Sequence, residues 1–517
     1  MASVERYEGL LRQAQTVQEK IDALCNLSWE LRNSDTQRAS ATARALLALL
    51  EEHPHLDLYT YEAKALLTLA ACKKRECNYD EAMNYAEHAL KRYEEISDAA
   101  GIASAHNLMA NTFYGKSDFQ KALSHHLQSL RLRELAKDER GVAVSRFNIG
   151  QVYAQLADYR EALNNLFEAG DAFERLNDRA ARAKCLNYIG AVYTSLADYA
   201  TALEYYHSSL SIQQELSDEQ GAAETTNNIG LVYQDFGDQK RAEDFLSKSV
   251  HTFEKLNDKV NLAKSTHNLG NLHLTNGNRE LASQFLQQSL SVSQSIGDKQ
   301  ECAATRTSLS TLMFKDGNYV EAASMLQKAI EDLESVGNQT LLATAVRQLA
   351  ECFAKIGRQQ DAIINFERAT TLSQNLSLKR EYFDALVAFA TYLCDINDDA
   401  RASSLLKKAL SLQQEIFSDA LQKNIAHMQV RFETQQAKLE AEALRKKNAE
   451  LLDALSEVKR LQELIVMCAW TGKIKQGEKW IRIEEYLSNQ LGVSVSHGIS
   501  EEAANQVRAE FARLKKG

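Results

Sequence analysis

A chain of 517 residues with a single proline, Pro54, few glycines and many Ala, Leu, Glu, Gln and Lys leaves helix almost unopposed, so the expected class is all-α. Its formal charge of -10 comes with no stripe of Lys and Arg interleaved with aromatics, which argues against nucleic acid as a partner. No run approaches the roughly 18 apolar residues a membrane span needs, and no signal peptide opens the chain, so no membrane partner and a cytoplasmic location are expected.

Residues 1–57 read as an N-terminal cap or a degenerate repeat. From residue 58 to 417 an alanine returns every 40 residues, at Ala82, Ala122, Ala162, Ala202, Ala242, Ala282, Ala322, Ala362 and Ala402, without insertion or deletion. Twelve residues before each stands another small residue, among them Ala70, Gly150, Gly190, Gly230, Gly270 and Ser310. Two helices per unit must therefore approach closely where both side chains are small. Larger groups such as Phe113, Tyr153, Tyr193 and Tyr233 follow three residues after the small position, on the same helical face, and are expected to fill the space between helices.

Polar turns separate the helices. Asp118, Asp158, Asp198, Asp238 and Asn318 fall within units, while Asp98, Asp138, Asp178, Asp218, Asp258, Asp298 and Asn338 fall between them, each placed to cap the helix that follows. Each unit is helix, turn, helix, turn. This pattern resembles the tetratricopeptide repeat, most plainly in N-I-G-Q-V-Y-A-Q-L-A-D-Y-R-E-A-L, residues 148 to 163. The proline usual after the second helix of that family is absent and the unit is longer, so the second helix is expected to be the longer one. The resemblance implies nine units in a right-handed superhelical solenoid of helical hairpins, with the first helix of each along the concave wall.

On that wall Asn107, Asn111, Gln151, Lys184, Asn187, Asn227, Gln234, Lys264, Asn271 and Arg347 are expected to contact a peptide, since amide side chains offer both a donor and an acceptor to an extended backbone. Asn107, Asn187, Asn227 and Asn271 are the preferred contacts. Asn148, Asn228 and Asn268 are assigned instead to hydrogen bonding between helices. His106, His267 and His273 stand alone, without neighbours at metal-ligand spacing, so no metal and no cofactor are expected. No phosphate loop, nucleophile elbow or pair of catalytic carboxylates appears, and the protein is expected not to be an enzyme.

After residue 417 the repeat stops. Leu421 to Ile465 reads as one charged helix in which Leu444, Leu451, Val458 and Ile465 recur every seven, with Ala441, Asn448 and Leu455 on adjoining core positions. A coiled-coil helix over 418–466 is expected, pairing in a parallel homodimer with Asn448 setting register; the alternative is one helix folded back along the last repeats. Residues 467–517, with Trp470, Trp480, Val493 and Val495, turn β-like and suggest a small α+β module. This segment resembles a short cysteine-rich module found at the end of bacterial sensory proteins. Only Cys468 stands at its cysteine positions, beside Thr471, Ser500 and Ala503, so the resemblance implies a retained fold with a lost metal site, Cys468 and His497 being two remaining candidate ligands.

The function expected from all this is a protein-protein interaction scaffold or bacterial signalling regulator that captures a partner peptide in the groove. The alternative is a peptide-sensing regulatory switch of the quorum-sensing type, or the sensor subunit of a bacterial signalling system. An enzyme using Cys468 and His497 is the weakest reading.

Overall fold

The structure, a computed structural model, describes residues 2–416 apart from 33, 54–57, 77 and 376–377, and residues 443–457 apart from 445, with 466–467, 473–476, 479–482, 485 and 489. It divides into two units, Met1–His427 and Met428–Gly517.

In the first unit, helices of near-equal length follow one another without a strand among the described residues. A representative stretch runs Ala99–Gly115, Phe119–Leu135, Glu139–Gln155, Tyr159–Arg175, Arg179–Ser195 and Tyr199–Glu215, each of 17 residues. The second helix of these hairpins is no longer than the first, and Arg279–Ile296 and Tyr319–Val336 exceed their first helices by only one residue, 18 against 17, which corrects the expectation drawn from the length of the unit. The reason is that one turn device serves both connections. Asp98 donates its N–H back to the Tyr93 carbonyl at 2.9 Å, closing one helix, while its carboxylate accepts from the N–H groups of Ala100 and Gly101 and opens the next. The residue before it, Ser97, takes the left-handed conformation, as do Ser117, Lys137, Ala157, Asn177, Ala197 and Ser217 at intervals of 20. Asp118, Asp138, Asp158, Asp178, Asp198, Asp218, Asp238, Asp258 and Asp298 cap in the same way, as does Asn338. Asn278 and Asn318 make no side-chain cap bond.

The recurring alanines are the tightest points of the core. Ala82 to Ala362 in this register are wholly buried, and Ala402 is 1% exposed. A Cβ on Gly150 would lie 2.7 Å from Leu166 Cγ and 3.0 Å from the Ala162 carbonyl oxygen, and one on Gly190 would meet the Tyr206 ring at 2.9 Å. Aromatic side chains bridge the two helices of a hairpin beside these points. Tyr193 stacks on Tyr205 with ring centroids 5.5 Å apart, Tyr233 on Phe245 at 5.5 Å and His273 on Phe285 at 5.4 Å. A third register carries serine. Ser129, Ser209, Ser249 and Ser289 donate to the carbonyls of Ala103, Ala183, Ala223 and Ala263 at 2.8 to 3.0 Å, and each of these hydroxyls is buried. They tie each second helix to the first helix of its own hairpin.

Before the regular array, Val17–Leu31 and Thr36–Glu51 form a helical pair whose Ile21, Cys25, Leu46 and Leu50 pack with Ala65 of Tyr59–Arg75. Among the described residues no helix is long and apolar enough to cross a membrane.

In the second unit, residues 443–444 and 446–457 are helical, with Leu444, Leu451 and Leu455 exposed by 60%, 61% and 55% and Asn448 exposed beside them. Val458 and Ile465 lie outside the described residues. Val466–Met467, Lys473–Gln476 and Lys479–Arg482 form a three-stranded antiparallel sheet in sequence order. Cys468, Thr471, His497, Ser500 and Ala503, which carry the metal-module resemblance, lie outside the described residues as well.

Candidate peptide-binding groove

Contacts that skip a helix run between the first helices of successive hairpins. Arg179–Ser195 touches Glu219–Phe236, which touches Lys259–Thr275, and so on to Lys379–Asp395. First helices therefore converge and form the inner wall.

They are joined by side-chain rungs 41 residues apart in sequence. Asn148 Nδ2 donates to Asn107 Oδ1 at 2.8 Å, Asn228 Nδ2 to Asn187 Oδ1 at 2.8 Å, and Asn268 Nδ2 to Asn227 Oδ1 at 3.2 Å. His267 Nε2 and Ser308 Oγ complete the next rung at 3.0 Å, while His267 Nδ1 faces Glu301 at 2.7 Å. Between the first two asparagine rungs, Phe147 and Tyr188 take the same register but meet edge to face, with ring centroids 5.2 Å apart. Tyr188 keeps 40% of its surface exposed.

Around this aromatic rung and the two asparagine rungs after it lies a cavity of about 480 Å³ spanning three first helices. Of the residues expected to bind peptide, Asn187, Asn227 and Lys264 line it, together with Tyr188, Glu224 and Asn261. Burial raises the Glu224 carboxyl above its ordinary range, with Lys184 opposing that shift and Asp258 and Asp218 adding to it. Asn261 Nδ2 donates to that carboxylate at 3.3 Å. The wall here offers amides for a backbone, one aromatic face, and a cation and an anion of opposite preference.

Asn187 differs from its expected role. It is only 9% exposed, and while its Oδ1 accepts from Asn228 its Nδ2 donates to Thr225 Oγ1 at 3.1 Å, so both ends of the amide are engaged inside the protein. Asn107 and Asn111 line a separate cavity nearer the N-terminus. Gln151, Lys184, Gln234, Asn271 and Arg347 line neither cavity. Arg347 is ion-paired with Glu351, and Gln234 holds a buried Oε1 without a partner.

Tyr188 and Asn261 were not among the expected contacts. For Tyr188 a signal was present, since it interrupts the register that reads Asn148, Asn228 and Asn268 in neighbouring units. His106, expected to stand alone, has its Nδ1 3.1 Å from that of His125, which Phe113 covers by stacking. Among the described residues no group of three or more potential ligands could hold a metal.

A solenoid of hairpins with a polar inner wall defines a class of repeat protein built to present an extended surface. A tetratricopeptide repeat model matches residues 61–134, 101–175, 181–255, 261–335 and 301–375, more than half of the chain. The protein belongs to the tetratricopeptide repeat family.

Among solved structures, it is similar to a Rap protein complexed with competence and sporulation factor, with a TM-score of 0.50, 17% identity, and coverage of 69% of this chain and 99% of that one. NprR in complex with its cognate peptide NprX matches with a TM-score of 0.43 and 17% identity over 69% of this chain and 99% of that one. The apo form of the quorum sensor NprR from B. thuringiensis matches with a TM-score of 0.44 and 15% identity over the same shares. No curated protein matches the sequence. The resemblance of residues 467–517 to a cysteine-rich sensory module finds no support in these comparisons.

Proposed function

We propose that the protein is a non-enzymatic scaffold or signalling regulator that holds an extended segment of a partner protein against its first helices. The observation that carries this reading is the cavity of about 480 Å³ on the inner wall, where Asn227, Asn261, Tyr188, Glu224 and Lys264 face one space. An extended backbone laid there loses water from its N–H and C=O groups, and the amides replace those bonds. Glu224 and Lys264 then choose among side chains. In this reading the protein works in a bacterial cytoplasm, with protein or peptide and not nucleic acid or membrane as its partner.

The test begins with peptides selected by display against the full chain. Tyr188→Ala combined with Lys264→Ala is expected to weaken a selected peptide tenfold or more, a loss of about 1.4 kcal/mol or more. Lys264 is exposed while Tyr188 also packs on Phe147, so a melt of each single variant beside the titration separates lost contact from lost packing. Unchanged affinity would remove the groove from consideration.

The peptide-sensing switch has one observation in its favour. The cavity spans three first helices, so a ligand in it bears on the Asn187–Asn228 and Asn227–Asn268 rungs that set their spacing. A change in radius of gyration on adding the selected peptide separates the switch from a static scaffold.

The exposed Leu444, Leu451 and Leu455 support a coiled-coil homodimer, because such a stripe is stabilised by a second helix. Light scattering of the full chain is expected to give twice the mass of one chain, returning to one after truncation at residue 420. A monomer at micromolar concentration would sink the dimer.

A further inference from the structure

The N-terminal end of the inner wall carries a feature that the middle of the groove does not. A cavity of about 280 Å³ there is lined by Arg32, Lys74, Arg75 and Arg133, and no residue of its lining carries a carboxylate. In a chain of net charge -10 this is a local reversal of sign. Acids stand outside the lining, and two of them, Glu30 and Asp138, act on Arg32 and Arg133. Glu30 accepts from Ser3 at 2.9 Å, Glu76 pairs with Lys73 at 2.9 Å, and Asp138 accepts from the Gly141 N–H at 2.9 Å.

Two of the cations are held in place by the protein. Arg133 donates through Nη1 to the Gly141 carbonyl and to Ser145 Oγ, both at 2.9 Å, and Arg32 lies 3.8 Å over the Trp29 ring while donating to the Trp29 carbonyl. Their side chains therefore lose little freedom on meeting a ligand. Uncharged donors stand among them. Asn107, whose Oδ1 accepts from Asn148, and Asn111 line the same space, while the Ser104 hydroxyl donates to the Ala100 carbonyl at 2.9 Å. Buried His126 senses the field. Burial first, then Arg133, His125 and Lys74, holds its imidazole down to about 3, far below the ordinary value.

We infer that this pocket is a phosphate-binding site that receives a phosphorylated side chain of the segment lying in the groove. A single carboxylate brings one charge and two oxygens to four cations and the amides of Asn107 and Asn111. A phosphate monoester brings roughly -1.5 to -2 charges and three acceptor oxygens, which match that set more fully. The pocket as a phosphate site stands on its own lining, whereas its occupation by a peptide rests on the proposed function above.

The experiment is therefore in two arms, both on the full chain. In the first, inorganic phosphate is titrated at constant ionic strength, with acetate as the control anion. Wild type is expected to bind phosphate in preference to acetate, and Lys74→Gln with Arg75→Gln to weaken phosphate at least tenfold. Arg75→Gln alone, at an exposed position, provides a second variant should the pair disturb folding, with an expected loss of about threefold. Equal response to phosphate and acetate, or unchanged phosphate affinity in the variants, overturns the site. In the second arm, serine-containing peptides are offered with and without phosphorylation. Preferential recovery of phosphorylated peptides, lost in the variants, supports the assignment; equal recovery overturns it. A Lys264→Ala variant that keeps its peptide affinity overturns the groove reading alone and leaves the phosphate result standing.

Discussion

Replacing Gly150 by valine is expected to lower the free energy of unfolding by about 3 kcal/mol, the upper end of what overpacking a well-filled core costs. Its first added carbon alone would stand 2.7 Å from Leu166 Cγ and 3.0 Å from the carbonyl oxygen of Ala162, and the second of these is backbone that a rotamer change cannot move. Alanine makes an informative control. Ala110 occupies the same register one unit earlier, opposite His126, and is wholly buried there, so one methyl group can be housed when the facing side chain suits it. At Gly150 the helix propensity gained by alanine, about 1 kcal/mol, works against the clash, and a small net change is expected. Denaturant midpoints followed by circular dichroism check both. A valine variant as resistant as wild type would mean that the two helices pass with more room than these distances allow.

The second large effect is expected at Asn187. Its amide is the centre of a chain in which Asn228 donates to Asn187, Asn187 to Thr225, and Thr225 to Gln213 at 2.8 Å. Alanine there leaves Asn228 Nδ2 without its acceptor and Thr225 Oγ1 without a donor, in a region where Thr225 and Gln213 are buried by 98% or more. The expected loss is about 2 kcal/mol, since buried polar groups stripped of a partner keep the full cost of leaving water. Asn227→Ala, at a half-buried position where the side chain accepts from Asn268, should cost about half as much. Thermal melts of the two variants compare them directly. Equal melting of wild type and Asn187→Ala would show that the chain of bonds does not matter to stability. A groove study should for this reason probe Tyr188 and Lys264, not Asn187.

Much of the solenoid was legible because alanine and its small partner return with fixed spacing, and two helices that pass closely need small groups at matched points on both. The equal helix lengths were legible too, in a combination that is easily missed. Asp98, Asp118, Asp138, Asp158, Asp178 and Asp198 form one series of period 20, whereas reading them as two series of period 40 hides the fact that both turns are alike. The serine clasp at Ser129, Ser209, Ser249 and Ser289 was likewise visible as a register, but nothing in spacing says that a hydroxyl reaches a carbonyl 26 residues back.

The inner wall was harder. Helical spacing puts Asn187 and Asn227 on one face, yet it does not say that the partner of Asn187 is Asn228, 41 residues on, because that depends on how two helices from different hairpins are turned toward each other. The cationic pocket was not legible at all. Arg32, Lys74 and Arg133 come from different helical pairs, and Arg32 precedes the regular repeat, so no register connects them.

The alternation of 17-residue helices with identical turns has a consequence for how such a chain can change length over time. Each hairpin meets its neighbours through alanine, small-residue and rung positions that recur at the same offsets, so gain or loss of a whole 40-residue segment restores matching surfaces at the new junction, whereas one inserted residue in a helix rotates every later side chain in it by about 100°. Recombination between units is thus the change this architecture absorbs most readily. The aromatic rung of Phe147 and Tyr188 is where such shuffling would be felt: a unit carrying Asn in place of either ring would set an amide against an aromatic edge and leave the junction mismatched.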